Sequence, residues 1–307
     1  MRKPRVGVSQ CLLGDRVRYD GEHKRCGWVV EKLAKYVTLV PVCPEVAMGL
    51  GVPRPSMRLV DGGKTGTRLV TNAAGVDLTE KARSTFDRLE RKLGELDGFI
   101  FKKNSPSCGT ERVKLFGKSG KPRREGVGLF AGLVRERRPD LVVIEEGRLT
   151  DPEQRENFVV RLHAWTRLRD VPARASAIQE FHRRHELMLL EHSPAAYRRL
   201  GPLVGNEAKL PPSKVLARYR VLFMRALSKP PTKRTRTAVL EHVLGFLRGK
   251  ADKDDRARLA ESIRLFDAGE VPFLTPLALA SRLVRKHRVA YLEEQVFFSP
   301  VPRGLQQ

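Results

Sequence analysis

Cys11, Cys43 and Cys108 each follow a short apolar run that reads as a buried strand. The carboxyl ends of parallel strands meet at one edge of a sheet, and ligands bind in the crevice beyond that edge. The spacing therefore predicts that three thiols, far apart along the chain, meet at one place. Three unrelated buried thiols are the alternative, because a structural cysteine can lie anywhere along a strand.

Three thiolates in one crevice could hold a soft metal centre. Structural zinc usually takes four protein ligands, and catalytic zinc adds histidine or carboxylate. No CxxC pair or nearby histidine knuckle accompanies these cysteines. An iron–sulfur cluster is the other option, and three cysteines would leave one iron of a cubane without a protein ligand. Cys26 stands at a predicted helix start, so we interpret it as structural.

Polar residues near the cysteines could supply acid–base chemistry. Glu45 lies two residues after Cys43, where apolar walls could raise its proton affinity. Its alternative role is to offset the dipole of a helix N-terminus. Ser105 and Ser107 precede the third cysteine and could orient water or substrate, or simply form a turn. Arg54 could line the mouth of the crevice or be purely structural.

The elements that must position these residues alternate between short apolar and amphipathic stretches up to about residue 150. This alternation predicts a parallel sheet with helices on its faces. We expect strands at 5–9, 37–42, 98–102 and 141–145, helices at 27–35, 78–96 and 126–136, and a hairpin or lid over 57–70. Thr79 is expected to cap the second helix. The glycine-rich basic stretch 111–126 is expected to be a mobile loop.

Beyond residue 150 the apolar spacing becomes helical, with prolines and glycines between the periodic stretches. We expect helices at 151–166, 173–191, 194–203, 212–228, 234–249, 253–268 and 275–287. The predicted fold class is α/β, with an N-terminal Rossmann-like parallel-sheet domain (1–150) followed by an all-α C-terminal domain (151–307). His182 and His185 could bind metal by spacing, but no carboxylate motif accompanies them, which favours core or surface histidines.

The chain carries a net charge of +24, divided equally on the two sides of residue 150. Charge spread over both halves favours a broad phosphate-binding surface, whereas a generally basic proteome is the alternative. The candidate RNA contacts are Lys114, Lys118, Lys121, Arg123 and Arg124 in the basic stretch, and Lys233, Arg234 and Arg236 in the second half. Without an apolar span, a signal region or a dense cysteine framework, the chain is expected to be cytoplasmic and away from membranes.

Three stretches of the first domain, SQCLLG…VRYDGEHKR, VPVCPEVAMGLGVPRP and KKNSPSCG, resemble the thiouracil desulfidase (TudS) family over about residues 5–147. Three stretches of the second, EEGRLTDPEQRENFVVR, FHRRHELMLLEHSPAAYRRLGPLVGN and YLEEQVFFSPVPRGL, resemble the YbgA-type helical domain. The fused pair resembles the tRNA 4-thiouridine desulfidases of the RudS type.

The resemblance implies a 4Fe-4S cluster held by Cys11, Cys43 and Cys108, with one open iron that takes the substrate sulfur. It also implies non-redox desulfidation with Glu45 as the acid–base residue. An assisting serine is implied as well, Ser105 as first choice and Ser107 as second. The implied reaction converts 4-thiouridine in tRNA to uridine and sulfide, with the helical domain helping to hold the tRNA. The alternatives are a desulfidase for free thiouracil or thionucleosides, and a nucleic-acid-binding iron–sulfur redox sensor without turnover.

Overall fold

The computed structural model describes residues 2–117 and 120–306. They divide into two compact units, one ending at Phe158 and the other beginning at Val159. The first unit contains the strands β1 Arg5–Ser9, β2 Thr38–Val42, β3 Met57–Asp61, β4 Thr67–Thr71, β5 Gly98–Phe101, β6 Val113–Phe116, β7 Pro122–Gly126 and β8 Val142–Glu145.

One of the sheets of the first unit is a four-stranded parallel sheet in the order β2-β1-β5-β8. The chain leaves β1 towards β2 on one side and later returns to β5 on the other. This change of direction is the arrangement at which open α/β sheets bind ligands. Gly7 lies in β1, one of the two interior strands, where a Cβ would overlap the ring of Phe99. The predicted Rossmann-like sheet is confirmed.

A second four-stranded sheet has the order β4-β3-β6-β7. Its β3–β4 pair is the predicted hairpin, and β3 and β6 run parallel. The expected mobile loop at 111–126 is wrong, because β6 and β7 form an antiparallel pair there. Val113 and Leu115 are buried on either side of exposed Lys114, which is the alternation of a half-buried strand. The density of basic residues concealed that alternation in the sequence.

The helices described beside the two sheets are α1 Pro44–Ala47, α2 Thr79–Gly94 and α3 Leu129–Arg137. The predicted cap is wrong, because Thr79 is the first helical residue rather than the residue before the helix. Its backbone N–H and its hydroxyl both donate to Asp77 Oδ1. The predicted helix at 27–35 is a π-helical turn, Trp28–Lys32, followed by a 3-10 turn, Leu33–Lys35.

The second unit is entirely helical, as predicted. The helices are α4 Pro152–Arg169, within which the division between the units falls, α5 Ala175–Arg184, α6 Glu186–His192, α7 Pro194–Gly205, α8 Pro212–Ala226, α9 Lys233–Phe246, α10 Lys253–Ala268, α11 Leu274–Lys286 and α12 Ala290–Glu293. The single helix expected over 173–191 breaks at His185. Within the described ranges, no helix is long and apolar enough to cross a membrane.

Candidate metal centre and its pocket

The three cysteines line one pocket of about 490 Å³ at the carboxyl edge of the parallel sheet. Cys11 lies on the 3-10 turn Gln10–Leu13 that follows β1. Cys43 directly follows β2 and precedes the one-turn helix α1. Cys108 lies in the loop that follows β5. The structure thus brings together the three thiols that the sequence places at the ends of three strands.

Burial and proximity disfavour three thiolates in this pocket. Burial, followed by the nearby Glu45 carboxylate, raises the pKa of Cys11 to about 11 and that of Cys43 to about 12. Cys108 is 4% exposed, and burial together with Glu45 raises its pKa well above the usual value. A cationic centre would reverse this balance, because metal binding favours the deprotonated ligand.

The donor set fits an iron–sulfur cluster. The three free thiols are soft ligands, and no histidine is among the described residues that line the pocket. Zinc would need a fourth donor or a mixed set of nitrogen and sulfur ligands. Cys26 does not line the pocket, which leaves it outside this donor set.

Glu45 lies beside Cys43 in the same pocket. Its side chain is largely buried, and Cys43 Sγ donates to its Oε2 at 3.3 Å. The charge of Glu45 raises the pKa of each of the three cysteines. The carboxylate therefore stands beside any group bound among the sulfur atoms, where it could exchange a proton with that group.

Arg54 ties two pocket walls together. Its side chain is 4% exposed and Nη2 lies 3.9 Å from Glu45 Oε2. Nη1 donates to Val17 O at 2.9 Å and to Gly51 O at 3.1 Å, and the backbone N–H donates to Tyr19 O. The residue lines the pocket, so it both orients the carboxylate and fixes the loop that carries Tyr19.

The loop of the third cysteine is fixed by hydrogen bonds to the Ser105 hydroxyl and between backbone groups. Ser105 Oγ accepts the N–H groups of Ser107 at 3.2 Å and Cys108 at 3.0 Å. Gly128 N–H then donates to Gly109 O at the start of α3. Ser105 lines the pocket, whereas Ser107 is 1% exposed and is absent from the described lining. Of the two candidate serines, Ser105 is therefore the one that can reach a bound molecule.

Sequence reasoning missed Ser9. Its hydroxyl accepts the N–H of Lys102 at 3.0 Å. The same hydroxyl lowers the pKa of the Cys108 thiol, against the larger effect of burial, which raises it. A hydroxyl residue in the last position of β1, two residues before Cys11, was the available signal.

The mouth of the pocket combines positive charge with one aromatic ring. Tyr19 is 46% exposed and is the one aromatic side chain among the described lining residues. The Arg18 guanidinium lies 5.4 Å from the Tyr19 ring centroid and is paired with Asp20 at 2.8 Å. Lys102 Nζ lies 2.5 Å from Glu146 Oε1. These contacts hold the ring and its neighbouring cations in place.

The predicted RNA contacts of the first unit lie on the β6–β7 hairpin. Lys114, Lys121 and Arg124 are exposed, and Lys114 is opposite Arg124 across the two strands. Arg123 is paired with Asp61 at 2.9 Å and with Glu125 at 3.0 Å, which reduces its availability to phosphate. Lys118 lies outside the described residues.

The predicted RNA contacts of the helical unit are placed differently. Lys233 Nζ donates to Asp267 O at 2.5 Å, and Arg234 is exposed. The Arg236 side chain is 17% exposed, pairs with Glu191 at 2.9 Å and lies over the Phe273 ring at 4.2 Å. These contacts hold Arg236 inside the unit.

Different family models match the two parts of the chain. Residues 6–146 match the family model described as 2-thiouracil desulfurase, and residues 186–302 match one described as a protein of unknown function, DUF1722. The uncharacterized protein YbgA of Escherichia coli (strain K12) is 32% identical over 146 residues, covering 47% of this chain and 86% of that protein. A solved 4Fe-4S-dependent thiouracil desulfidase, TudS, is 34% identical over 48% of this chain and 95% of its own, with a TM-score of 0.38.

Proposed function

Because the chain belongs to the 2-thiouracil desulfurase family and carries a YbgA-like domain behind it, we propose that it removes sulfur from 4-thiouridine in tRNA. The products are uridine and sulfide, and the cofactor is a 4Fe-4S cluster. The observation that carries the proposal is the pocket in which Cys11, Cys43 and Cys108 meet beside Glu45.

Cys11, Cys43 and Cys108 would hold three of the four irons and leave one open. When bound, the cluster supplies a soft Lewis-acid site that polarises a thiocarbonyl. The protein supplies the three sulfur ligands, a pocket of about 490 Å³ and a carboxylate beside them. The Ser9 hydroxyl favours the thiolate of Cys108, because it lowers the pKa of that thiol.

Glu45 is the general base in this proposal. Its Oε2 takes one proton from the water that attacks the carbon bearing sulfur. The leaving sulfide carries away the second proton of that water and the proton held by Glu45, which regenerates the carboxylate. The C=S bond and one molecule of water thus become C=O and hydrogen sulfide, with no net oxidation or reduction. A positioned general base contributes a rate factor of about 100 to 10,000. Ser105 orients the water or the substrate from the adjacent pocket wall.

tRNA is favoured as the substrate by the charge of the chain. The net charge of +24 is spread over the whole chain, and such charge attracts a phosphate backbone. A base within folded RNA reaches an enzyme pocket only after it leaves the stack. Tyr19 offers that base a flat, half-exposed ring at the mouth of the pocket. The four free cysteines suit the reducing cytoplasm, where we place the protein.

Two other functions are compared with this proposal, one through the pocket and one through RNA binding. A redox sensor without turnover has little use for a buried carboxylate between the thiols, and Glu45 therefore counts against it. A desulfidase of free thiobases would use the same pocket but would gain nothing from RNA binding by the helical unit.

Incubation of the anaerobically reconstituted protein with thiolated tRNA, followed by nucleoside analysis, tests the proposal. We expect 4-thiouridine to disappear while uridine and sulfide appear in equal amounts. Turnover of free 4-thiouridine with none on tRNA would move the assignment to small thionucleosides. Intact 4-thiouridine in both substrates, with the cluster present, would overturn it.

A further inference from the structure

A basic cleft of about 360 Å³, separate from the cysteine pocket, lies in the helical unit between the N-terminal end of α7 and the C-terminal end of α8. It is called the Arg199–Arg225–Lys229 cleft below. Arg199 faces it from α7, Arg225 from α8, and Lys229 from the segment that follows α8. Among the described residues, its lining contains no carboxylate. The other cleft described on this unit has Arg285 and Arg303 together with Glu293 in its lining, so the two clefts differ in charge.

Among the described residues, the basic side chains of the Arg199–Arg225–Lys229 cleft have no ion-pair partner, whereas several other arginines of the unit do. Arg183 pairs with Glu180 and Glu294, and Arg264 pairs with Glu261. Within the described part of the chain, the exposed side chains of Arg199, Arg225 and Lys229 make no ion pair or hydrogen bond. Their charge is therefore available to a ligand.

Hydrogen bonds hold the backbone around the cleft in place without involving its cationic side chains. His192 Nδ1 donates to Lys229 O at 2.9 Å, which joins the end of α6 to the segment after α8. Ser193 caps α7 by accepting the N–H of Ala196 at 3.2 Å. The positive end of the α7 dipole adds to the field of the cations. Arginine suits phosphate because its planar guanidinium can donate two parallel hydrogen bonds.

We propose that this cleft binds backbone phosphates of RNA through Arg199, Arg225 and Lys229. The inference rests on the proposed function, because it takes tRNA as the molecule that the chain holds. It moves the RNA contact of the helical unit away from Arg236, which is engaged with Glu191 and Phe273.

The test compares the full chain with an Arg199→Gln/Arg225→Gln double variant and an Arg258→Gln control. Arg258 is exposed on α10 and is not among the described residues that line the cleft. Fluorescence anisotropy measures the affinity for unmodified tRNA at several salt concentrations. Each lost phosphate contact should lower the salt slope by about 0.7 to 0.9 and the affinity by about fivefold near physiological salt.

We expect the double variant to lose affinity and salt dependence, the control to bind as wild type does, and turnover of free 4-thiouridine to be unchanged in both. Wild-type affinity and slope in the double variant would overturn the inference, as would an equal loss in Arg258→Gln. If the wild type binds tRNA through this cleft but releases no sulfide from thiolated tRNA, the proposed reaction fails and the cleft stands.

Discussion

Both units bury ionisable groups, which are cysteines in the sulfur pocket of the first unit and histidines in the interior of the second. The two regions differ in the partners that these groups have. In the pocket, Cys11 and Cys43 line one cavity, and the charge of Glu45 raises the pKa of both thiols. In the helical unit, His182 Nδ1 forms a hydrogen bond with Tyr219 Oη at 3.1 Å, and His185 Nδ1 donates one to Phe181 O at 2.7 Å.

This difference in partners distinguishes groups that serve function from groups that stabilise the fold. Buried polar groups with internal partners stabilise and specify a fold. Groups that converge on a cavity and raise one another's pKa are typical of a site for a ligand or a reaction. Changes in the first region should therefore remove activity with little effect on folding, and changes in the second should do the reverse.

The largest expected effect comes from the third cysteine. Cys108→Ala should abolish cluster binding and desulfidation, because a cubane would keep only two protein ligands. Iron content and visible absorbance measure the loss, and circular dichroism checks that the chain stays folded. Cys26→Ser is the matched control and should retain both iron and activity, since Cys26 does not line the pocket. A brown, active Cys108→Ala variant would break the comparison.

Glu45→Gln comes next. It should lower kcat by about 100- to 10,000-fold while iron content and thermal stability stay close to wild type. The amide keeps the shape of the side chain but cannot accept the proton. Single-turnover sulfide release measures the rate. If turnover persists at the wild-type rate, Glu45 is not the base and a water or another residue must serve.

Tyr219→Phe tests the opposite region. The change leaves a buried imidazole nitrogen of His182 without its partner and should destabilise the chain by about 1 to 3 kcal/mol. Denaturant unfolding measures the loss, and turnover of free 4-thiouridine should be unchanged at a temperature where the variant is folded. A stable variant with impaired chemistry would contradict the division between the two regions.

The smallest expected effect is a dependence of stability on pH. Burial lowers the pKa of His182 and of His185, so both are neutral in the folded unit. Their contribution is complete above the unfolded pKa of about 6.5 and is lost as the pH falls below it, because the unfolded state then binds more protons.

We therefore expect the thermal midpoint to fall between pH 7.5 and pH 5. In His185→Phe, which keeps an aromatic ring beside Phe181, the fall should be smaller. Equal pH dependence in wild type and variant would show that this histidine does not carry the effect.

The sequence allowed the parallel sheet and the meeting of the three cysteines to be predicted, because β1, β2 and β5 are short apolar runs. Of the second sheet, the sequence predicted the β3–β4 hairpin but not β6 and β7, since the basic residues of those two strands hide their alternation. The pairing of Arg236 with Glu191 was also beyond reach, because it depends on how α9 packs against α6. Local pattern reveals elements, whereas the partner of a charged side chain is decided by tertiary packing.

The central claim is that the pocket of Cys11, Cys43, Cys108 and Glu45 exchanges a substrate sulfur for the oxygen of water. It is tested most directly by anaerobic single turnover of thiolated tRNA in ¹⁸O-labelled water without any reductant. We expect one ¹⁸O atom at C4 of uridine for each sulfide released. Sulfide release that requires an electron donor, or uridine that lacks the label, would contradict it.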